Sequence, residues 1–138
     1  MNYFEEIKLG MKEHIDSISS ISLLDLTTTS RKKIENHLNS TIEVNIVVDN
    51  EDPQKMKKVI EYLEQEGRSF GWSFPENTKE ELCEDSFWNL KNKLKKLIGG
   101  MTVNERVYYF GYHTEFENIP SKDKSAREEI LLKLFVLG

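Results

Sequence analysis

Apolar positions first recur at helical spacing. Phe4, Ile7, Met11, Ile15 and Ile18 fall on one side of a helix over residues 3–18, because positions three and four apart share a helix face. Gly10 weakens that helix by ~1 kcal/mol relative to alanine. Ile21, Leu23, Leu24 and Leu26 follow among serines and fit a helix end and a short strand equally well. Thr27-Thr28-Thr29-Ser30 then offers several caps for a short helix with Ile34 and Leu38 on one face.

At residue 41 the period changes from helical to twofold. Ile42, Val44, Ile46 and Val48 alternate with Thr41, Glu43, Asn45 and Val47, which predicts a strand over 41–49 with one buried and one mostly wet face. Asp52-Pro53 reads as the N-cap and first-turn proline of a helix reaching residue 65. Met56, Val59, Ile60 and Leu63 form its stripe, and Gly67 ends it. A second strand is predicted over 68–74, with Phe70, Trp72 and Phe74 on one side and Ser69, Gly71 and Ser73 on the other. A helix of roughly thirteen residues between two strands fits a right-handed crossover joining parallel strands. The small, polar opposite side predicts a sheet with one face fairly open.

The remaining pattern is helical. Cys83, Phe87, Leu90, Leu94 and Leu97 stripe a helix over 78–98. Another helix is expected over 103–116, and a last one after Pro120-Ser121, carrying Ala126, Ile130, Leu131, Leu134 and Phe135 inward. Helices grouped at the ends of the chain around few strands predict an α+β fold: a small sheet with a strand–helix–strand core and a C-terminal helical group, in one domain over 1–138.

Composition narrows the setting. At 38% apolar and 31% charged residues the chain is a globule rather than a disordered segment. No apolar run approaches the ~20 residues of a membrane span, and Met1-Asn2-Tyr3-Phe4-Glu5-Glu6 lacks the basic start of a signal peptide. The single cysteine, Cys83, excludes an internal disulfide. A cytoplasmic protein is expected, and Asn39-Ser40-Thr41 is then a chance match to a glycosylation acceptor. The net charge of −5 argues against non-specific nucleic-acid binding, which needs clustered cations. That charge is concentrated: residues 61–85 hold eight acids and two bases, and the lysines at 91, 93, 95 and 96 follow directly.

Candidate chemistry is sparse. His14, His37 and His113 have no second ligand at metal-like spacing and are expected at the surface or in caps. Cys83 sits on an apolar stripe and reads as a small core residue. Asp49, Glu51 and Asp52 after a strand could hold a magnesium ion for a small hydrolase, although Asp52 already serves as a cap and Glu51 suits a helix N-terminus. No cofactor motif occurs. The aromatic residues Tyr62, Phe70, Trp72, Phe74, Phe87 and Trp88 overlap the acidic run, and acids around aromatic anchors suit a binder of a basic protein. Glu61, Glu64, Trp72, Glu76, Glu80, Glu84 and Trp88 are the expected partner-binding residues. Tyr108, Tyr109 and Tyr112, with Phe110 and Phe116, surround their helix and suit either burial or an aromatic homodimer face.

The most distinctive spelling is Gly99-Gly100-Met101-Thr102-Val103-Asn104-Glu105-Arg106. Thr102 and Glu105 form a capping box, and the glycine pair suits a helix end that needs φ > 0. With Tyr108, Gly111 and Glu115-Phe116, this stretch resembles a C-terminal segment recurring in small stand-alone bacterial proteins. Some of these are immunity proteins of polymorphic or contact-dependent growth-inhibition toxin systems. The chain departs from that pattern at Tyr112-His113-Thr114, where the family usually has an aliphatic residue and an Asp. The resemblance implies a non-enzymatic inhibitor that binds a cognate toxin. Acidity implies a basic toxin, in the first place a nuclease. A homo-oligomeric or adaptor protein is the alternative.

Overall fold

The computed structural model describes residues 2–24, 26–69 and 79–134. They form α1 (Tyr3–Ser19), α2 (Thr28–Asp49), a 3-10 turn (Pro53–Lys55), α3 (Lys57–Ser69), α4 (Lys79–Gly99), α5 (Val103–Tyr109), α6 (His113–Asn118) and α7 (Lys124–Lys133). Among the described residues there is no strand, so the expected α+β fold is replaced by an all-helical one.

The decisive segment is 41–49. It is the second half of α2, continuous with the short helix expected around Ile34. Its buried stripe is Ile34, His37, Thr41, Val44 and Val48, at steps of three and four. Two polar residues, His37 and Thr41, occupy stripe positions, so a count of apolar side chains misses the helical period there. Ile42 and Ile46, which completed the strand-like alternation, are 42% and 57% exposed. The Thr27 side chain caps this helix by accepting from Ser30 N–H at 3.2 Å.

The other expected strand fails at its start. Arg68 and Ser69 are the last residues of α3, which runs past Gly67. Residues 70–74 lie outside the described residues. Before α3, Asp52 and Pro53 open a separate 3-10 turn instead of the expected helix itself, Asp52 accepting from Gln54 N–H at 3.0 Å.

α1 packs on both α2 and α4, and α2 also meets α3. Ile7, Met11 and Ile18 of α1, Val44 and Val48 of α2, Val59 and Leu63 of α3, and Phe87, Leu90 and Leu94 of α4 make one continuous core. Gly10 belongs to this packing: a Cβ there would stand 3.3 Å from Leu90 Cδ1, so its absence lets α4 lie close to α1. On α4, Ile98 is fully buried and Leu97 only half-buried, one position from expectation.

The C-terminal group clamps the end of this bundle. The capping box is present: Glu105 N–H donates to Thr102 Oγ1 at 3.2 Å, and Thr102 N–H donates to Glu105 Oε1 at 2.9 Å. The helix it opens stops at Tyr109 instead of reaching residue 116. Gly111, at φ 75°, turns the chain there. Its N–H reaches Tyr108 O at 3.2 Å and Tyr112 N–H reaches Val107 O at 2.9 Å, the paired bonds of a Schellman end. A Cβ on Gly111 would lie 2.5 Å from Pro53 O, so only glycine fits against the 3-10 turn. The positive φ expected of Gly99-Gly100 thus belongs to Gly111.

Candidate functional site

One hydrogen-bonded chain crosses the four long helices. Ser86 Oγ on α4 lies 2.7 Å from His14 Nδ1 on α1. His14 Nε2 lies 2.8 Å from His37 Nε2 on α2. His37 Nδ1 lies 3.1 Å from Glu66 Oε2 on α3. The two imidazoles are 2% and 3% exposed, so the expectation that His14 and His37 sit at the surface or in caps is overturned. Both stand on the apolar stripes of their helices, His14 between Met11 and Ile18, which is the sequence signal for burial that spacing against other ligands does not carry.

Proton directions follow from the end of the chain. The Glu66 carboxylate accepts, so His37 Nδ1–H donates and leaves His37 Nε2 as an acceptor. His14 Nε2–H donates to it, and His14 Nδ1 accepts from the Ser86 hydroxyl. Every member of the chain then has a partner, with the His14 ring neutral. Burial, and next to it the facing His37, hold the His14 imidazole far below its ordinary range, at about 3. Phe87 seals the chain from below, with its ring edge-to-face against His37 at 5.4 Å and tilted on His14 at 6.1 Å.

A second bonded pair lies one turn along α2. Thr41 Oγ1 donates to His37 O at 2.8 Å and, with its proton so placed, accepts from the Tyr62 hydroxyl at 2.7 Å. Burial raises the Tyr62 phenol well above its ordinary range. Cys83 is fully buried nearby and its thiol is pushed up to about 12 by that burial, the opposite of an activated nucleophile.

Hydroxyl, imidazole, imidazole and carboxylate in line is the order of a nucleophile, a base and its orienting group. Ser86 and His14 also line a groove of about 390 Å³ between α1 and α4, bridged by the Lys93–Glu13 ion pair at 2.5 Å. Acyl transfer would further need donors aimed at the developing oxyanion. Ser86 sits in the interior of α4, where the backbone N–H groups are taken by the helix itself. The chain joins four helices through paired polar groups, which favours one packing of the bundle.

The described ones among the expected partner-binding residues fall on two helices. Glu61 and Glu64 are exposed on α3, with Glu64 paired to Arg68 at 2.9 Å. Glu80, Glu84 and Trp88 are half-buried on α4. Trp88 Nε1–H points at Glu84 Oε1 at 3.4 Å, its ring meets Phe87 edge-on, and Lys91 Nζ lies 5.0 Å above its centroid. Trp72 and Glu76 lie outside the described residues. Glu61 also lines a groove of about 270 Å³ between α2 and α3, with Glu43, Glu66 and Lys58. Glu43 and Glu66 were not among the expected site residues, because reading 41–49 as a strand and 61–66 as a solvated helix face kept them apart.

Among the described residues no group of three or more His, Cys, Asp and Glu is placed to hold a metal ion. Of the proposed magnesium ligands, Glu51 holds Lys8 at 3.0 Å and Asp52 caps the 3-10 turn. No described helix is long and apolar enough to cross a membrane. The tyrosines are mostly inward: Tyr112 is buried under Lys57 Nζ at 4.8 Å, and Tyr109 meets Tyr3 and Phe4 edge-on, leaving Tyr108 exposed.

Thr102, Glu105, Arg106 and Gly111 have structural roles in this chain. Thr102 and Glu105 start α5, and Gly111 ends its turn. Arg106 donates to Met101 O at 3.2 Å, Gly99 O at 3.1 Å and Leu134 O at 3.3 Å, tying the end of α4 to the end of α7. No protein-family model matches the chain, and neither a curated protein nor a solved structure is significantly similar to it.

Proposed function

We propose that the chain binds and neutralises a basic protein toxin, in the first place a nuclease, in the manner of the bacterial immunity proteins its C-terminal segment resembles. The observation that carries this reading is the acidic groove between α2 and α3, whose lining holds Glu43, Glu61 and the edge of the buried Glu66 against one lysine, Lys58. Glu64, one turn from Glu61, is exposed beside it and pairs with Arg68. Such a surface raises the local concentration of a cationic partner and orients its approach.

Inhibition on this reading comes from occupying the toxin, and the Ser86–His14–His37–Glu66 chain keeps the groove's two walls in register. The test is capture of the cognate partner from the native host, followed by binding kinetics. Glu43→Lys, Glu61→Lys and Glu64→Lys together leave the fold intact, since all three are exposed. The triple variant is expected to lower the on-rate and to flatten its dependence on salt. A partner whose association ignores both salt and these reversals overturns the reading.

A further inference from the structure

The two buried imidazoles face each other through the same kind of atom. His14 Nε2 and His37 Nε2 are 2.8 Å apart, a spacing that holds one proton between them. Two protons would set N–H against N–H, and none would set lone pair against lone pair in a buried site. Ownership of that proton dictates the rest of the chain. If His14 Nε2 owns it, the neutral ring presents a bare Nδ1, and the Ser86 hydroxyl 2.7 Å away donates to it. If His37 Nε2 owns it, the neutral His14 carries its proton on Nδ1 and donates to Ser86 Oγ. The Ser86 hydrogen then points elsewhere. Ser86 lines the groove of about 390 Å³ between α1 and α4, so solvent is there to receive it.

The second arrangement holds one proton more than the first. Ser86 Oγ takes a proton from solvent in the groove and passes its own to His14 Nδ1, while His14 Nε2 gives its proton to His37 Nε2. Three bonds to hydrogen form, two break, and His14 ends neutral. The added charge rests at His37, whose Nδ1 lies 3.1 Å from the Glu66 carboxylate. The surroundings of the two rings favour that placement. Beyond Glu66, the α2–α3 groove holds Glu43 and Glu61 against Lys58. Tyr62 on α3 and Cys83 on α4, which also face Glu66, stay protonated because burial raises both, the thiol to about 12. Around His14, burial and the facing His37 oppose a charge. Glu13 and Lys93 at that groove pair with each other, and Asp85 also lines it.

We propose that the chain is a one-proton switch between the two grooves: protonation of the His37–Glu66 pair reverses both hydrogen bonds of His14 and turns the Ser86 hydroxyl outward, so that the α1–α4 groove gains a donor where it had only an acceptor. The switch needs no partner protein and stands or falls independently of the inhibitor reading.

Long-range proton–nitrogen correlation NMR of the histidine rings in the full chain shows which ring nitrogen carries a proton. The titration runs from about pH 9 to about pH 5, around the range where imidazoles change charge, with circular dichroism to follow folding. His113→Gln, at an exposed position, identifies the signals of the third histidine. At the alkaline end His14 is expected to be protonated on Nε2 and His37 on Nδ1. On acidification His14 is expected to stay neutral and exchange Nε2–H for Nδ1–H, in step with the gain of Nε2–H by His37. Glu66→Gln removes the countercharge and is expected to lower the midpoint of this exchange by at least about one pH unit, tenfold in proton affinity. If that variant fails to fold, the wild-type titration decides by itself. A His14 ring that keeps its Nε2 proton until the chain unfolds, a His14 that becomes an imidazolium, or a midpoint unmoved by Glu66→Gln overturns the proposal.

Discussion

His14 illustrates how one buried residue sets a pH response. Its folded pKa, about 3, lies below the ordinary 6.5, so between these values the unfolded chain binds the proton that the folded chain refuses. Stability from this group is fully present above pH 6.5 and is lost as the pH falls toward 3, by up to about 1.4 kcal/mol per pH unit. Urea denaturation of the wild type and His14→Phe across pH 4–7 should show the variant with the shallower slope; equal slopes would mean His14 does not bury neutral. Gly111 is equally specific. Gly111→Ala combines a left-handed φ with a Cβ 2.5 Å from Pro53 O, and is expected to cost at least about 2 kcal/mol. A denaturation midpoint unchanged in that variant would show that the α5–α6 turn is not held against the 3-10 turn.

At the scale of elements, α2 decides between two readings of the same residues. In a strand over 41–49, Val44, Ile46 and Val48 would all be inward, and a charge at any of them would unfold the protein. In the helix Val48 is fully buried while Ile46 is more than half exposed. Ile46→Lys is therefore expected to change stability by no more than about 0.5 kcal/mol, whereas Val48→Asp leaves an unpaired charge in the core and should abolish folding. Thermal melts of the two variants separate the cases, and an unfolded Ile46→Lys protein would return the segment to a strand. The helix also explains why an alternating stretch of isoleucine and valine is compatible with α structure. Tertiary burial of one face outweighs the modest β preference of branched residues.

For the molecule as a whole, the Ser86–His14–His37–Glu66 chain makes the four long helices one cooperative unit. Ser86 and Glu66 do not touch, yet both bond the same imidazole pair. Ser86→Ala and Glu66→Gln, measured singly and together, should show a coupling of about 0.5 kcal/mol or more through the two imidazoles. Additive losses would show that the polar groups act pair by pair. Such a network specifies one packing among the many a helical bundle could adopt, because any slippage leaves buried polar groups unpaired.

The local pattern determined much by itself. The stripes of α1 and α4, the Asp52-Pro53 start, the Thr102–Glu105 capping box and the inward Ile130 of α7 all depend on residues within a turn or two of one another. Near-neighbour chemistry of that kind is written in the spelling. The helical state of 41–49 was not legible, because its inward stripe includes His37 and Thr41, whose burial is affordable only once Glu66, Tyr62 and His14 arrive from other helices. The pairing of the histidines and the gathering of Glu43, Glu61 and Glu66 around one groove depend likewise on contacts between residues far apart in sequence. Only the tertiary structure brings those partners together, and it alone decides which polar residues are core and which apolar ones are left facing out.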